Sequence, residues 1–257
     1  MRVASWNVNS IGKRLPRLLQ WLAARQPDVV CLQETKAQDD NFPAADCERA
    51  GYHVAYWGEK AYNGVAILSR SALTSVRRGL DVEPREQPEQ TRWISAEVEG
   101  LTVACAYIPN GRQVGSDAYA FKLAWLARLG RILARDYHPS EPLVVAGDFN
   151  VAPRDCDVAF PDRWQRTVLC HPEVRGAFQR LLAWGLVDSF AHLRPAGGEY
   201  SWWDYRMLGF PKGNGLRIDL LLATAGVAAR LRAVGIDRDE RKGTLPSDHV
   251  PVWMDVD

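Results

Sequence analysis

A short apolar run that stops on an acid and an amide constrains this chain more than any other stretch: Leu143-Val144-Val145-Ala146-Gly147-Asp148-Phe149-Asn150. An unbroken row of β-branched and small apolar residues suits a strand buried on both faces. Gly147 is read as the point where the backbone turns without a Cβ penalty. Asp148 and Asn150, two apart, project toward one side of the sheet rim. The rim of a buried sheet is where α/β proteins keep their chemistry. The structural alternative is a turn with an Asx cap, which Asp and Asn favour on their own.

The pattern recurs along the chain. Residues 3–6 read as a strand ending at Asn7, and residues 29–32 as a strand ending at Gln33-Glu34-Thr35. Residues 92–99 and 101–107 form a hairpin about Gly100 whose second arm finishes in Tyr107-Ile108-Pro109-Asn110. Further strands are expected at 52–57, 64–69, 75–79, 216–223, 231–236 and 250–256. Helical spacing marks 16–25, 44–50, 117–136 and, after Pro172, 174–184. Residues 83–90, acidic and Pro-bearing, read as an exposed loop, and 151–166 as irregular.

Strands broken by only a few helices, with a hairpin among them, predict an α/β fold of two mixed sheets packed face to face with helices outside. A single domain over 1–257 is expected, with no linker or repeat. The balance of 47% hydrophobic and 25% charged residues is that of a soluble globular protein. A net charge of +1 confines any nucleic-acid binding to a local patch. Five cysteines without CxxC spacing argue for a reducing compartment and against a disulfide scaffold or zinc site. With no signal peptide and no apolar run near the ~20 residues of a membrane helix, a cytoplasmic protein is expected.

Four strands thus end in polar groups (Asn7; Glu34; Tyr107 with Asn110; Asp148 with Asn150). Two later segments bring Asp219 to a strand start and Asp248-His249 to a point just before one. Antiparallel neighbours begin where the others end, so all six sets can meet on one rim. The residue types suit phosphodiester hydrolysis. Glu34, helped by Asn7 and Asp248, offers hard oxygen ligands for Mg²⁺, with Mn²⁺ as a substitute. His249, held in one tautomer by Asp219, can donate to a phosphate oxygen. Asp148, steered by Asn150, can accept a proton from the attacking water. Each type also has a plain structural use: His249 as a cap, Glu34 as a helix-start acid, Asp219 as a satisfied core carboxylate. His53, His138, His171 and His192 share no strand-end pattern and are read as structural.

The quoted stretches carry a family. Ser5-Trp6-Asn7-Val8-Asn9, Leu32-Gln33-Glu34-Thr35-Lys36, Gly147-Asp148-Phe149-Asn150, Ser201-Trp202-Trp203-Asp204-Tyr205, Gly215-Leu216-Arg217-Ile218-Asp219 and Ser247-Asp248-His249 resemble the exodeoxyribonuclease III family of abasic-site endonucleases. The likeness covers nearly the whole chain, in order. It implies a four-layer α/β/β/α sandwich and a Mg²⁺-dependent enzyme of DNA repair that cuts 5′ of abasic sites or trims blocked 3′ ends. Its partner would be double-stranded DNA; a monomer without organic cofactor is expected. By motif, Asn7, Glu34 and Asp248 fall in the metal region. Asp148 and Asn150 take the water-activating position there, and His249, Asp219 and Tyr107 lie at the scissile phosphate. Trp202, Leu216 and Ile218 match the pocket for a flipped-out, base-less sugar. Lys13, Arg14, Arg92, Asn110, Arg112, Lys122 and Lys212 are candidates to grip the DNA backbone.

One stretch departs from the family. Thr167-Val168-Leu169-Cys170-His171-Pro172 is shorter and bulkier than the glycine-containing version common there, and bulk at the DNA-facing rim is expected to favour 3′-end work over internal abasic sites. Two rivals are kept. A phosphoesterase of the same superfamily, acting on inositol phosphates, sphingomyelin or undamaged DNA, would leave the Trp202 stretch without a purpose. A catalytically silent DNA-binding module would have lost an acid or the histidine, and here every position is filled.

Overall fold

The computed structural model describes residues 1–81 and 89–257; of the loop expected at 83–90, only Glu89 and Gln90 lie among the described residues. Among the described residues twelve strands form: β1 (Arg2–Asn7), β2 (Val29–Gln33), β3 (His53–Trp57), β4 (Val65–Ser69), β5 (Thr74–Arg78), β6 (Trp93–Val98), β7 (Leu101–Tyr107), β8 (Leu143–Asp148), β9 (Leu186–Asp188), β10 (Asp219–Thr224), β11 (Leu231–Ile236) and β12 (Val252–Val256). The helices are α1 (Ile11–Arg25), α2 (Ala44–Arg49), α3 (Asp117–Asp136), α4 (Pro161–Trp164), α5 (Pro172–Gly185), α6 (Ser189–Leu193) and α7 (Ala225–Ala228).

The strands build two six-stranded mixed sheets, ordered β11-β12-β1-β2-β4-β3 and β5-β6-β7-β8-β10-β9. Each has a parallel pair at its centre, β1 with β2 and β7 with β8, flanked by antiparallel neighbours. Three apolar layers result. One, with Val3, Cys31, Val103 and Val144, lies between the sheets. A second packs α1 on the first sheet through Leu18, Trp21 and Leu22, and a third packs α3 and α5 on the second through Trp125, Leu129 and Phe178. This is the four-layer sandwich, helices outermost. Among the described residues no helix is long and apolar enough to cross a membrane. All five cysteines are free, and Cys31, Cys47, Cys105 and Cys170 are buried, as small hydrophobes are.

Several boundaries moved for visible reasons. Helix α1 starts at Ile11, ahead of Pro16, because the amides of Ser10 and Ile11 donate to the carbonyls of Glu34 and Thr35. Those bonds satisfy donors that a helix start otherwise leaves open, and they tie α1 to the loop carrying Glu34. Strand β10 begins at Asp219 because Leu216 is taken up in isolated bridges to Val158 and Trp202. Strand β9 and helix α6 are too short to show a period in sequence.

Gly147 serves a purpose other than the expected turn. It lies inside β8, and a Cβ there would stand 1.8 Å from the carbonyl oxygen of Ala106 on β7. The glycine is needed for close approach of two central strands, one residue from Asp148. Gly147→Ala is therefore expected to cost about 1–3 kcal/mol or more, read by thermal denaturation; an unchanged melting temperature would contradict this packing.

Candidate active site

The parallel centres of both sheets run to one rim. There Asn7 pairs with Gln33, next to Glu34, and Tyr107 and Asp219 each pair with Asp148. The segment before β12 crosses the same rim, where His249 bridges to Trp202. Glu34 (φ 51°) and Asn150 (φ 49°) both adopt left-handed backbone just past their strands. Such conformations cost of order 1–3 kcal/mol for a residue like Glu and persist where neighbours fix them.

The amide of Asn7, fully buried, donates 3.0 Å bonds to both Glu34 Oε1 and Asp148 Oδ2 and so holds two carboxylates of different sheets together. Tyr107 donates to Glu34 Oε1 at 2.8 Å. Burial and the nearby Glu34 and Asp148 charges raise this phenol well above its ordinary value, so it is a donor at neutral pH. Lys36, given no role from sequence, places Nζ 2.7 Å from Glu34 Oε2 and 2.6 Å from Asn9 Oδ1. Burial pushes the Glu34 carboxyl up, but Lys36 and the Asn7 amide outweigh it and leave Glu34 below the usual range.

His249 sits between two acids. Its Nδ1 lies 2.9 Å from Asp219 Oδ2 and its Nε2 3.7 Å from Asp148 Oδ2. Burial lowers the imidazole pKa, yet Asp219 and Asp148 overcome that and raise it to about 10. Nδ1–H therefore donates to Asp219, and Nε2–H is aimed at the rim. Asp148 is pushed up to about 7, by burial first, with His249 opposing and Asp219 and Glu34 adding to the rise. Behind them Ser201, also without a role from sequence, donates at 2.6 Å to Asp219 Oδ2 and accepts from the Ile218 and Asp219 amides. The signal for both missed residues lay in the motif strings that contain them, not in any spacing.

The other expected residues divide. Asn110 donates to Asn150 Oδ1 at 2.9 Å, and Asn150 Nδ2 in turn reaches Asp148 Oδ2 at 3.2 Å. Trp202 lies half-buried against Trp164 and His249, while Leu216 and Ile218 are buried behind it. Arg92 stacks over the Tyr107 ring. Lys13, Arg112 and Lys212 are exposed, free to meet a phosphate backbone.

Three expectations change. Asp248, expected with the metal, is engaged by Asn9 Nδ2 at 2.9 Å and Trp202 Nε1 at 3.0 Å, and lies outside the cluster formed by Glu34, Asp148 and His249. Lys122, expected to grip DNA, is fully buried on α3 and donates to three backbone carbonyls; Arg14, also buried, bonds Asn9 O, Tyr205 Oη and Pro246 O. The bulk of the 167–172 segment points inward: Val168, Leu169 and Cys170 belong to the core under α3 and α5. Apolar side chains of that size gain more from the core than from the rim.

Candidate metal ligand atoms of Glu34, Asp148 and His249 lie within 4.8 Å of one another. The two carboxylates are hard oxygen donors of the kind a small divalent cation takes, and the Asn7 Nδ2 that bonds both holds them together while its Oδ1 accepts from the Asn9 N–H. The Lys36 ammonium against Glu34 shows that this spot attracts positive charge. The residues fit a metal. If Asp148 is a ligand it must be ionised to bind, and affinity is then expected to fall as pH drops below about 7, by up to about tenfold per unit for one released proton. Calorimetric titration with Mn²⁺ at several pH values from 5.5 to 8 tests this. A pH-independent affinity would show that Asp148 is not a ligand.

A model of the endonuclease/exonuclease/phosphatase family matches residues 4–249. Exodeoxyribonuclease III of Haemophilus influenzae is 38% identical over 267 residues, covering 99% of each chain. Among solved structures, an AP endonuclease from Archaeoglobus fulgidus superposes with a TM-score of 0.96 at 38% identity, over 100% of this chain and 99% of that one. A Neisseria 3′ phosphatase, NExo, bound to a product DNA hairpin gives the same score at 40% identity and the same coverage.

Proposed function

Because the chain belongs to the endonuclease/exonuclease/phosphatase family, with exodeoxyribonuclease III at its full length, we propose that it is a metal-dependent DNA repair nuclease. It incises 5′ of abasic sites and trims blocked 3′ ends, as a monomer in the cytoplasm. The observation that carries this reading is the convergence of Asn7, Glu34, Tyr107, Asp148, Asp219 and His249 from both sheets on one rim.

Glu34 and Asp148, held together by the Asn7 amide, would hold the cation, Mg²⁺ or in its place Mn²⁺. When bound, it neutralises charge building on the phosphoryl oxygens. The His249 imidazolium, kept charged by Asp219, donates from Nε2 to a non-bridging oxygen. Tyr107, whose phenolic hydrogen is held by Glu34 Oε1 and which stays protonated at neutral pH, turns that hydrogen to the phosphate from the other side when substrate is bound. The ionised Asp148 carboxylate accepts the proton of the attacking water. The water oxygen bonds phosphorus, the phosphorus–oxygen bond to the leaving alcohol breaks, and that oxygen takes up a proton from solvent while Asp148 later returns its own to solvent. Trp202, in contact with His249, forms the wall against which a base-less sugar fits.

The substrate class is tested with a duplex bearing one abasic analogue, a nicked duplex with a 3′-phosphate, inositol phosphates and sphingomyelin. Turnover of either DNA and neither of the others is expected. Hydrolysis of an inositol phosphate or sphingomyelin alone would overturn the reading. Internal incision and 3′ trimming are both expected, since the 167–172 bulk is spent in the core; incision absent while 3′ trimming proceeds would restore the rim-bulk idea. Trp202→Ala is expected to weaken discrimination between abasic and intact duplex about 10-fold or more, loss of one buried stacking face being worth ~1–3 kcal/mol.

A further inference from the structure

Lys122 is the buried charge that the chemistry above leaves unused. It projects from the first half of α3, has no solvent exposure, and spends its ammonium on three backbone carbonyls: Asn110 at 3.1 Å, Asn150 at 2.6 Å and Val168 at 2.8 Å. An ammonium carries three donors, so these partners saturate it. The carbonyls belong to three separate segments: the loop after β7, the loop after β8, and the stretch before α5. Gly111, in left-handed backbone, makes room for the lysine stem; a Cβ there would stand 3.0 Å from Lys122 Cδ.

Burying an ammonium is costly even when every proton finds an acceptor. A core position served only by packing would take Met or Leu. What the ammonium does here is specific. Two of its three carbonyls belong to the asparagines that bond each other at 2.9 Å, and Asn150 passes the contact to Asp148. Asn150 also holds left-handed backbone (φ 49°), which a bond to its own carbonyl helps to fix.

We propose that Lys122 is a positioning residue of the nuclease site: it clamps the backbones of Asn110 and Asn150 to the 167–170 segment, so that the Asn150 amide is fixed against Asp148. The 167–170 segment is thereby coupled to the catalytic carboxylate of Asp148 through one ammonium. Its influence runs through the Val168 carbonyl rather than through side-chain bulk.

The inference rests on the nuclease reading, and the test separates the two. Wild type, Lys122→Met, Asn150→Ala and the double variant are compared in single-turnover cleavage of the duplex that wild type cuts, beside hydrogen exchange of residues 108–111, 149–151 and 167–170. Supporting groups behind a metal site are typically worth ~10–100-fold. Lys122→Met is expected to lose that much in rate with little change in the half-saturating DNA concentration, and to exchange faster in all three segments. The double variant is expected to fall no further than Asn150→Ala. A wild-type rate in Lys122→Met would overturn the proposal, as would losses that multiply in the double variant. If Lys122→Met does not fold, Lys122→Gln, which keeps two of the donors, carries the same comparisons. An inactive wild type would sink the nuclease reading instead.

Discussion

Replacing Asp148 with Asn is expected to slow phosphodiester cleavage by about 10²–10⁴-fold, the range that a positioned proton acceptor contributes. The substitution keeps shape and one oxygen that still accepts from the Asn7 and Asn150 side-chain amides, giving up the bond from the Asn150 backbone N–H, and the fold is expected to survive. It removes a carboxylate whose proton affinity sits near neutrality, pushed up to about 7 by burial, with Asp219 and Glu34 adding to the rise. It also removes a charge from the metal cluster, so metal affinity falls as well. Single-turnover rates at saturating metal isolate the proton-transfer part. A loss below about 10-fold under those conditions would assign the proton acceptor elsewhere. Ser201→Ala makes the informative contrast. It leaves Asp219 with one hydrogen bond fewer, and the expected loss is only about 10–100-fold.

The largest effect on stability is expected at Arg217. This guanidinium is 1% exposed and forks onto Asp188 at 2.8 and 3.0 Å while its Nε donates to Asp157 at 2.9 Å. It lies between Leu216 and Ile218 and two residues before Asp219, so it fixes the strand that supplies both the pocket wall and the orienter of His249. Arg217→Met fills similar space but leaves Asp188 and Asp157 buried with a charge partly unpaired. Breaking a buried pair in this way costs about 3–5 kcal/mol, which for a chain of this size lowers the melting temperature by roughly 6–20 °C. A fall of less than about 2 °C, measured calorimetrically, would show that Arg154, which also bonds Asp157, and the Ala191 amide on Asp188 suffice without it.

The rim was legible in the sequence because its logic is local. An apolar run followed by an acid or amide marks a buried strand with a polar end, and Asn7, Glu34, Tyr107 and Asp148 all read that way. That Asp219 and His249 come to the same rim followed from antiparallel pairing, although the strand carrying Asp219 was expected from 216. What could not be read depends on contacts distant in sequence. Lys122 has the spacing of any helix residue, and only the folded chain brings three carbonyls to its ammonium. Val168 looks like rim bulk until the core under α3 and α5 takes it in. The purpose of Gly147 was misread for the same reason, since the carbonyl of Ala106 that demands it lies on another strand.

One metal-dependent phosphodiesterase centre built from both sheets and acting on damaged DNA is tested most directly by cleavage of a labelled duplex with a single internal abasic analogue, in Mg²⁺ and in EDTA, by wild type and by Asp148→Asn. Incision on the 5′ side of the analogue in Mg²⁺, absent in EDTA and reduced at least about 100-fold in the variant, is the expected result. Incision that persists in EDTA, or that Asp148→Asn leaves intact, would contradict it.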